Sequence, residues 1–260
     1  LFFRRKKDRP ASITFGQRSD IGRLRTENQD CCGKFPAASL NLSEPQGLLF
    51  IVADGMGGHA AGREASAMAV ETVQQVYFSN PSQSLTERLQ RALQIANEKI
   101  YNYARRFAGD QLMGTTCTAL VMKEASGCIA HVGDSRIYRI TRESIKQLTH
   151  DHTEVAAMLR DGLLTEQEAL QHPERSRLNR ALGINADLEV DLIENIPLQA
   201  NEHFLLCTDG LVKVDPAEIK KIVLAHEPQQ ACDQLIQLAL KRGGHDNVTA
   251  QVIRVNHPAP

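Results

Sequence analysis

The chain has 260 residues, of which 42% are hydrophobic and 23% charged, and its formal net charge is −1. That length and apolar content suit one large globular domain and exclude a disordered chain, while the charge balance leaves no basic footprint for nucleic acid. The six cysteines are scattered without CxxC spacing, which excludes a zinc ribbon or a disulfide framework and reads as the reduced thiols of a cytoplasmic protein.

The first stretch, LFFRRKKDRP (1–10), joins three apolar residues to a tight Arg/Lys cluster. It is expected to be a solvated basic leader or the cytoplasmic edge of an upstream membrane helix, so 1–11 is set apart from a domain over 12–256. Nothing else in the sequence approaches the ~20 apolar residues of a spanning helix. SITFGQR (12–18) alternates as a first strand, the polar turn SDIGRLRTENQD follows, and 31–35 reads as a second strand. After a loop to 46, LLFIVA (48–53) carries no polar side chain and stops at Asp54-Gly55, the pattern of a fully buried strand. Residues 60–78 predict a helix that begins with small side chains. A second helix opens at the Ser84–Glu87 capping box, with Leu85, Leu89, Ala92, Ala96, Ile100, Tyr103 and Phe107 on one stripe.

From 114 the period changes. GTTCTALVMK, GCIAHVG, SRIYRITR and ESIKQLT are four short β-rich runs that predict an antiparallel meander. The 149–183 segment turns polar, contains a second capping box at Thr165–Glu168 and the basic cluster Arg175, Arg177 and Arg180, and reads as a lid or substrate-facing flap. Strands return at 187–194 and 203–208, Asp215-Pro216 opens a helix, another helix covers 229–241, and a strand closes the chain over 247–255. About ten strands and five or six helices, mostly in antiparallel connection, predict an α+β domain of sheets covered by helices.

The run 48–53 delivers the carboxylate of Asp54 to the end of a core strand, where Gly55, Gly57 and Gly58 let the backbone approach whatever Asp54 holds. A buried charge needs a partner, and no Lys or Arg lies between Lys34 and Arg63. The partner must come from elsewhere in the chain or be a cation. The device recurs: Asp209 ends HFLLCTD, Asp134 follows CIAHVG, Asp246 sits in GGHDN, and Asp30 closes RTENQD. One Asp in a turn is ordinary, but five in this setting point to hard oxygen ligands for magnesium, manganese or calcium, not zinc or copper. The calcium loop D-x-[DN]-x-[DN]-G is absent. Two magnesium or manganese ions about 3.5 to 4 Å apart can hold a hydroxide between them and aim it at phosphorus, and Arg25 would suit a bidentate phosphate clamp. The chain has no thiol-phosphatase loop, no G-x-S-x-G elbow and no Walker loop. His150-Asp151-His152 is expected to be an exposed turn, and His59 a residue at a helix start.

RTENQD (25–30), VADGMGG (52–58), GTT (114–116), HVGDSR (131–136), CTDGL (207–211) and GGHDN (243–247) follow one another in this order. In that set the chain resembles the metal-dependent serine/threonine protein phosphatases of the PPM or PP2C family, the bacterial branch most closely, over 12–255. The resemblance implies a four-layer αββα sandwich, two antiparallel β-sheets flanked by helix pairs, with Mn2+ or Mg2+ at one end. It implies two ions in the core site: Asp54, Asp209 and Asp246 on one, Asp54 and the Gly55 carbonyl on the other, with Asp30 acting through bound water. Asp134 with Asp209 would match a third, weaker position. Arg25 matches the phosphate-binding arginine, Asn247 a supporting residue, and 149–183 the flap. The implied reaction is hydrolysis of phosphoserine and phosphothreonine in proteins by a metal-bridging water, opposing a Ser/Thr kinase. The expected partners are phosphoproteins, the kinase and its targets, with no nucleic acid, a membrane only through an upstream segment, and a monomeric state.

Two residues depart from the eukaryotic pattern. Gln29 replaces a metal-associated Glu, and Met56 replaces a His proposed as general acid, which leaves the leaving group's proton donor unassigned. Two rivals stand beside this reading. One is a metal-loaded binding module, which would have no need to hold five carboxylates together against their repulsion; the other is a hydrolase of small phosphate esters.

Overall fold

The computed structural model describes residues 11–58, 60–108, 112–212 and 214–257; the basic leader over 1–10 and His59 lie outside them. In chain order the elements are β1 (Ser12–Asp20), β2 (Asp30–Phe35), β3 (Leu48–Gly57), α1 (Ala61–Ser79), α2 (Leu85–Tyr103), β4 (Met113–Thr115), β5 (Cys117–Lys123), β6 (Ser126–Val132), β7 (Arg136–Ile140) and β8 (Ile145–Gln147). There follow α3 (Glu154–Arg160), α4 (Glu166–Gln171), β9 (Asp191–Pro197), β10 (His203–Cys207), α5 (Pro216–Ala225), α6 (Pro228–Lys241) and β11 (Val248–His257).

β3 shows why its sequence does not alternate. Leu49, Ile51 and Ala53 pack toward α1 and α2, whereas Leu48, Phe50 and Val52 pack toward a second sheet. A strand covered on both faces leaves no solvent side for polar residues. The first sheet runs β2-β3-β5-β6-β9 with β4 added to the far end of β3, the second runs β1-β11-β10-β7-β8, and the pairings are antiparallel. α5 and α6 cover the second sheet through Ile219, Val223, Leu235 and Ile236. The result is the expected four-layer αββα sandwich. Between the sheets Phe50, Leu120, Phe204 and Ile253 are fully buried, and each such side chain contributes roughly 1.5–3 kcal/mol of transfer free energy.

Local signals act where the sequence placed them. Ser84 with Glu87 and Thr165 with Glu168 form reciprocal capping boxes, and Asp215 accepts from Ala217 N. The second helix stops short of the predicted stripe: Tyr103 ends α2, a π-helical turn follows over Ala104–Ala108, and Phe107 is left 69% exposed. The strand predicted at 187–194 begins later and runs over Asp191–Pro197.

The four runs after 114 are not one meander. β5 and β6 pair in the first sheet, the chain crosses over at 133–135, and β7 with β8 belongs to the second. Gly133 makes the crossing at φ +112°, where a Cβ would lie 2.5 Å from Thr116. Glycine alone takes that backbone readily.

The inter-sheet layer changes character along β11. Val255 and Ile253 enter its apolar core; Gln251 and Thr249 continue the same face, by the two-residue period of a strand, and are also fully buried. Gln251 donates to Gly33 O (3.1 Å) and Gln17 Oε1 (3.2 Å). One end of the sandwich is therefore polar inside, and the aspartates gather there. Among the described residues no helix is long and apolar enough to cross a membrane, and the six cysteines are free thiols.

Candidate active site

Strand register brings the first two carboxylates together, because Asp30 at the start of β2 pairs with Asp54 near the end of β3. The second sheet contributes Asp209, which opens a 3-10 turn after β10, and Asp246, two residues before β11. Asp134 comes from the crossing between the sheets. These loops meet closely: a Cβ on Gly210 would collide with Asn247 O, and one on Gly55 would collide with Gly62 O.

Hydroxyls hold the acids in place. Thr208 and Thr249 both donate to Asp30 Oδ2, at 2.8 and 2.7 Å, and Oδ1 of the same carboxylate is buried without a partner. The Asp54 N–H donates to Thr116 Oγ1 (2.8 Å), and Asp54 O accepts from Thr116 N (2.9 Å) and Thr115 Oγ1 (2.9 Å). Asn247 fixes the loop that carries Arg25. Its Oδ1 accepts from Gln29 N (2.8 Å) and its Nδ2 donates to Ile21 O (2.8 Å) and Glu27 O (2.9 Å). Arg25, half-exposed, donates through Nη2 to Asp246 Oδ2 at 2.6 Å.

This crowding raises proton affinity. Burial first, then the charge of Asp209 and Asp246 against the pull of the two threonines, pushes Asp30 up to about 7. Burial and then Asp209 push Asp134 up to about 8. Burial and Asp246 push Asp209 up to about 6, and Asp54 stands well above the carboxylate range through burial and then Asp30, Asp209, Asp134 and Asp246. Desolvation and like charge act in the same direction.

The donor set fits a hard divalent cation. It is all oxygen, it leaves Oδ1 of Asp30 and of Asp209 buried and unpartnered, and Arg25 beside it is already paired. Such acids are stabilised by protons or by metal ions. Among the described residues no three His, Cys, Asp or Glu side chains stand close enough to hold an ion as they are. Arg25 occupies Oδ2 of Asp246 in this arrangement.

Of the residues singled out in the sequence, Arg25, Asp54, Gly55, Asp134, Asp209, Asp246 and Asn247 line one cavity of about 600 Å³. Asp30 lies beneath it, bonded to Thr208 and Thr249. Met56, Arg177 and Arg180 also line it, and from the 149–183 segment the lining residues are 176–181. The hydroxyls of Thr116, Thr208 and Thr249 were given no role in the sequence reading, although Thr116 closes GTT, Thr208 directly precedes Asp209 and Thr249 lies three residues after Asp246. The turn at 150–152 is a correction. His150 is exposed, but His152 is 4% exposed, and Asp151 takes Nε and Nη2 of Arg136 at 2.9 and 2.6 Å.

The family model described as protein phosphatase 2C matches residues 25–250. The serine/threonine phosphatase Stp of Listeria innocua is 36% identical over 245 residues, covering 92% of this chain and 94% of the relative. The S. agalactiae serine/threonine phosphatase superposes with a TM-score of 0.85 at 31% identity, covering 94% of this chain and 100% of that one. The catalytic domain of the serine/threonine protein phosphatase PstP, in complex with two manganese ions, gives 0.78 at 30% identity, covering 94% and 99%. With the six motifs in order, the αββα layers and a match over most of its length, this chain belongs to the protein phosphatase 2C family.

Proposed function

We propose that residues 12–256 form a metal-dependent phosphatase domain that hydrolyses phosphoserine and phosphothreonine in proteins. The observation that carries the reading is the convergence of Asp54, Asp134, Asp209 and Asp246 on one cavity with Arg25 at its rim. The names of the relatives support the substrate class, and the manganese complex of PstP supports the cofactor, Mn2+ or Mg2+. Two such ions, with a third at Asp134, would supply Lewis acidity and a nucleophile at neutral pH. Asp54, the Gly55 carbonyl, Asp209 and Asp246 would hold the core pair.

The protein's own groups do the remaining work. Arg25 would grip the substrate phosphate through two oxygens of its planar fork, and Asp246 would serve as a metal ligand. Asp30, with Oδ2 fixed by two hydroxyls and Oδ1 unpartnered, would act through metal-bound water. Asn247 keeps the Arg25 loop at the height of the acids. The wall at 176–181 faces the substrate chain. We further propose that the protein acts in the cytoplasm, which the six free thiols support, that it is a monomer, and that its substrates include a Ser/Thr kinase and that kinase's targets.

The test is phosphate release from a phosphothreonine peptide and from p-nitrophenyl phosphate, in Mn2+, Mg2+ or EDTA. Peptide turnover should require metal and fall by about 100-fold or more in Asp209→Ala, in the range that loss of one charge-stabilising group costs. Turnover that persists in EDTA would sink the metal reading, and selectivity for the small ester would move the chain to the rival hydrolase class.

A further inference from the structure

Three parts of the site meet on His152, a residue that none of the six motifs contains. Its backbone N–H donates to Gly133 O at 2.8 Å, and its ring Nδ1 accepts from Gly133 N at 3.0 Å. The turn that carries Asp134 is thus clasped on both sides of one glycine, whose φ of +112° is a conformation set by its bonding partners and not by a side chain. The carbonyl of His152 accepts from Asn179 N (3.0 Å), and Asn179 Nδ2 donates to Thr153 O (3.2 Å), which ties in the return of the 149–183 segment. Because Nδ1 accepts from Gly133, the ring proton resides on Nε2 and is donated to Asp191 Oδ2 at 3.1 Å. Asp191 in turn takes Arg180 Nη1 at 2.6 Å, and Arg180 is part of the cavity wall. His131, bonded to Thr118 Oγ1 and His150 O, lies 4.8 Å from the His152 ring and backs it.

We infer that His152 is a positioning residue: through Gly133 it sets Asp134 at a fixed place relative to the 177–180 wall, so that carboxylate and wall move as one unit. The inference rests on the reading of Asp134 as a ligand of the third, weaker metal position. A buried histidine that served packing alone would tolerate any polar replacement of similar size. One that acts through its Nδ1 would tolerate only a replacement that keeps the acceptor. Asparagine places Oδ1 where Nδ1 was, and glutamine instead keeps a donor near Nε2.

The experiment compares wild type with His152→Asn, His152→Gln and Asp134→Asn, by Mn2+ titration calorimetry and by amide hydrogen exchange of the metal-free protein at Gly133. His152→Gln should weaken the weakest Mn2+ site about 10-fold and speed Gly133 exchange, whereas His152→Asn stays within about threefold, as for partners that orient a ligand from behind. Asp134→Asn should abolish that site. Equal behaviour of the two His152 variants, or a silent His152→Gln beside a clear Asp134→Asn effect, overturns the inference alone. Unchanged Mn2+ binding in Asp134→Asn overturns the ligand reading and the inference with it.

Discussion

Asp30, Asp134 and Asp209 are pushed up to about 7, 8 and 6, with burial the first cause in each. In the unfolded chain an aspartate titrates near 3.9, so above about pH 4 the metal-free fold holds protons that the unfolded chain has released. Stability then falls as pH rises, until the folded groups have ionised as well. Buried His131 and His203, both held down to about 4 by burial, act in the opposite sense, since their neutral form favours the fold above their unfolded value and is lost toward acid. That contribution is complete above about pH 6.5. The carboxylates therefore act without opposition from these histidines between about pH 6.5 and 8.5. In EDTA the melting temperature should fall across that window, and Asp134→Asn should flatten the fall. Saturating Mn2+ should remove it, because the cation takes the place of the protons. A melting temperature that rises across the window in EDTA would contradict the account.

At the scale of elements, the end of β3 is built so that backbone meets backbone. A Cβ on Gly55 would collide with Gly62 O in α1 and lie 2.7 Å from Gln29 O, and neither atom belongs to a side chain that can swing away. Gly55→Ala should lower the urea midpoint by an amount equivalent to about 1–3 kcal/mol, the usual cost of overpacking, and should also remove activity by displacing Asp54. A stable variant with full activity would show that the closeness is incidental. This element was legible in the sequence because a run without polar residues that ends on Asp-Gly-Met-Gly has few other structural uses. The helix starts were legible too, since Ser84 with Glu87 and Thr165 with Glu168 are local codes. The division of β5–β6 from β7–β8 was not. Each run reads the same in either sheet, and the choice is made by Gly133 and its contact with Thr116. His152 was hidden for a similar reason: its neighbours in sequence are polar, but its burial comes from Gly133 and Asp191, 19 and 39 positions away. The clamp on Asp30 is assembled from Thr208 and Thr249, on a different sheet.

At the scale of the molecule the site is a seam. Asp30 and Asp54 belong to the first sheet, Asp209 and Asp246 flank strands of the second, and the hydroxyls of Thr208 and Thr249 already reach across. A cation held by Asp54, Asp209 and Asp246 binds both sheets at once and has no comparable site in the unfolded chain. Mass action then favours the fold by about 2.7 kcal/mol at a free concentration 100 times the dissociation constant. For a chain of this size that corresponds to a rise of roughly 5–10 °C in melting temperature. Asp209→Asn should lose most of the rise, and Glu71→Gln, on the exposed face of α1 beside Gln75, should keep it. Because an ion held in this way would join the sheets, added protection from hydrogen exchange should appear in β3 and in β10 together. If Mn2+ protected β3 and left β10 exchanging as in EDTA, the ion would be held by the first sheet alone, and Asp209 would have no part in holding it.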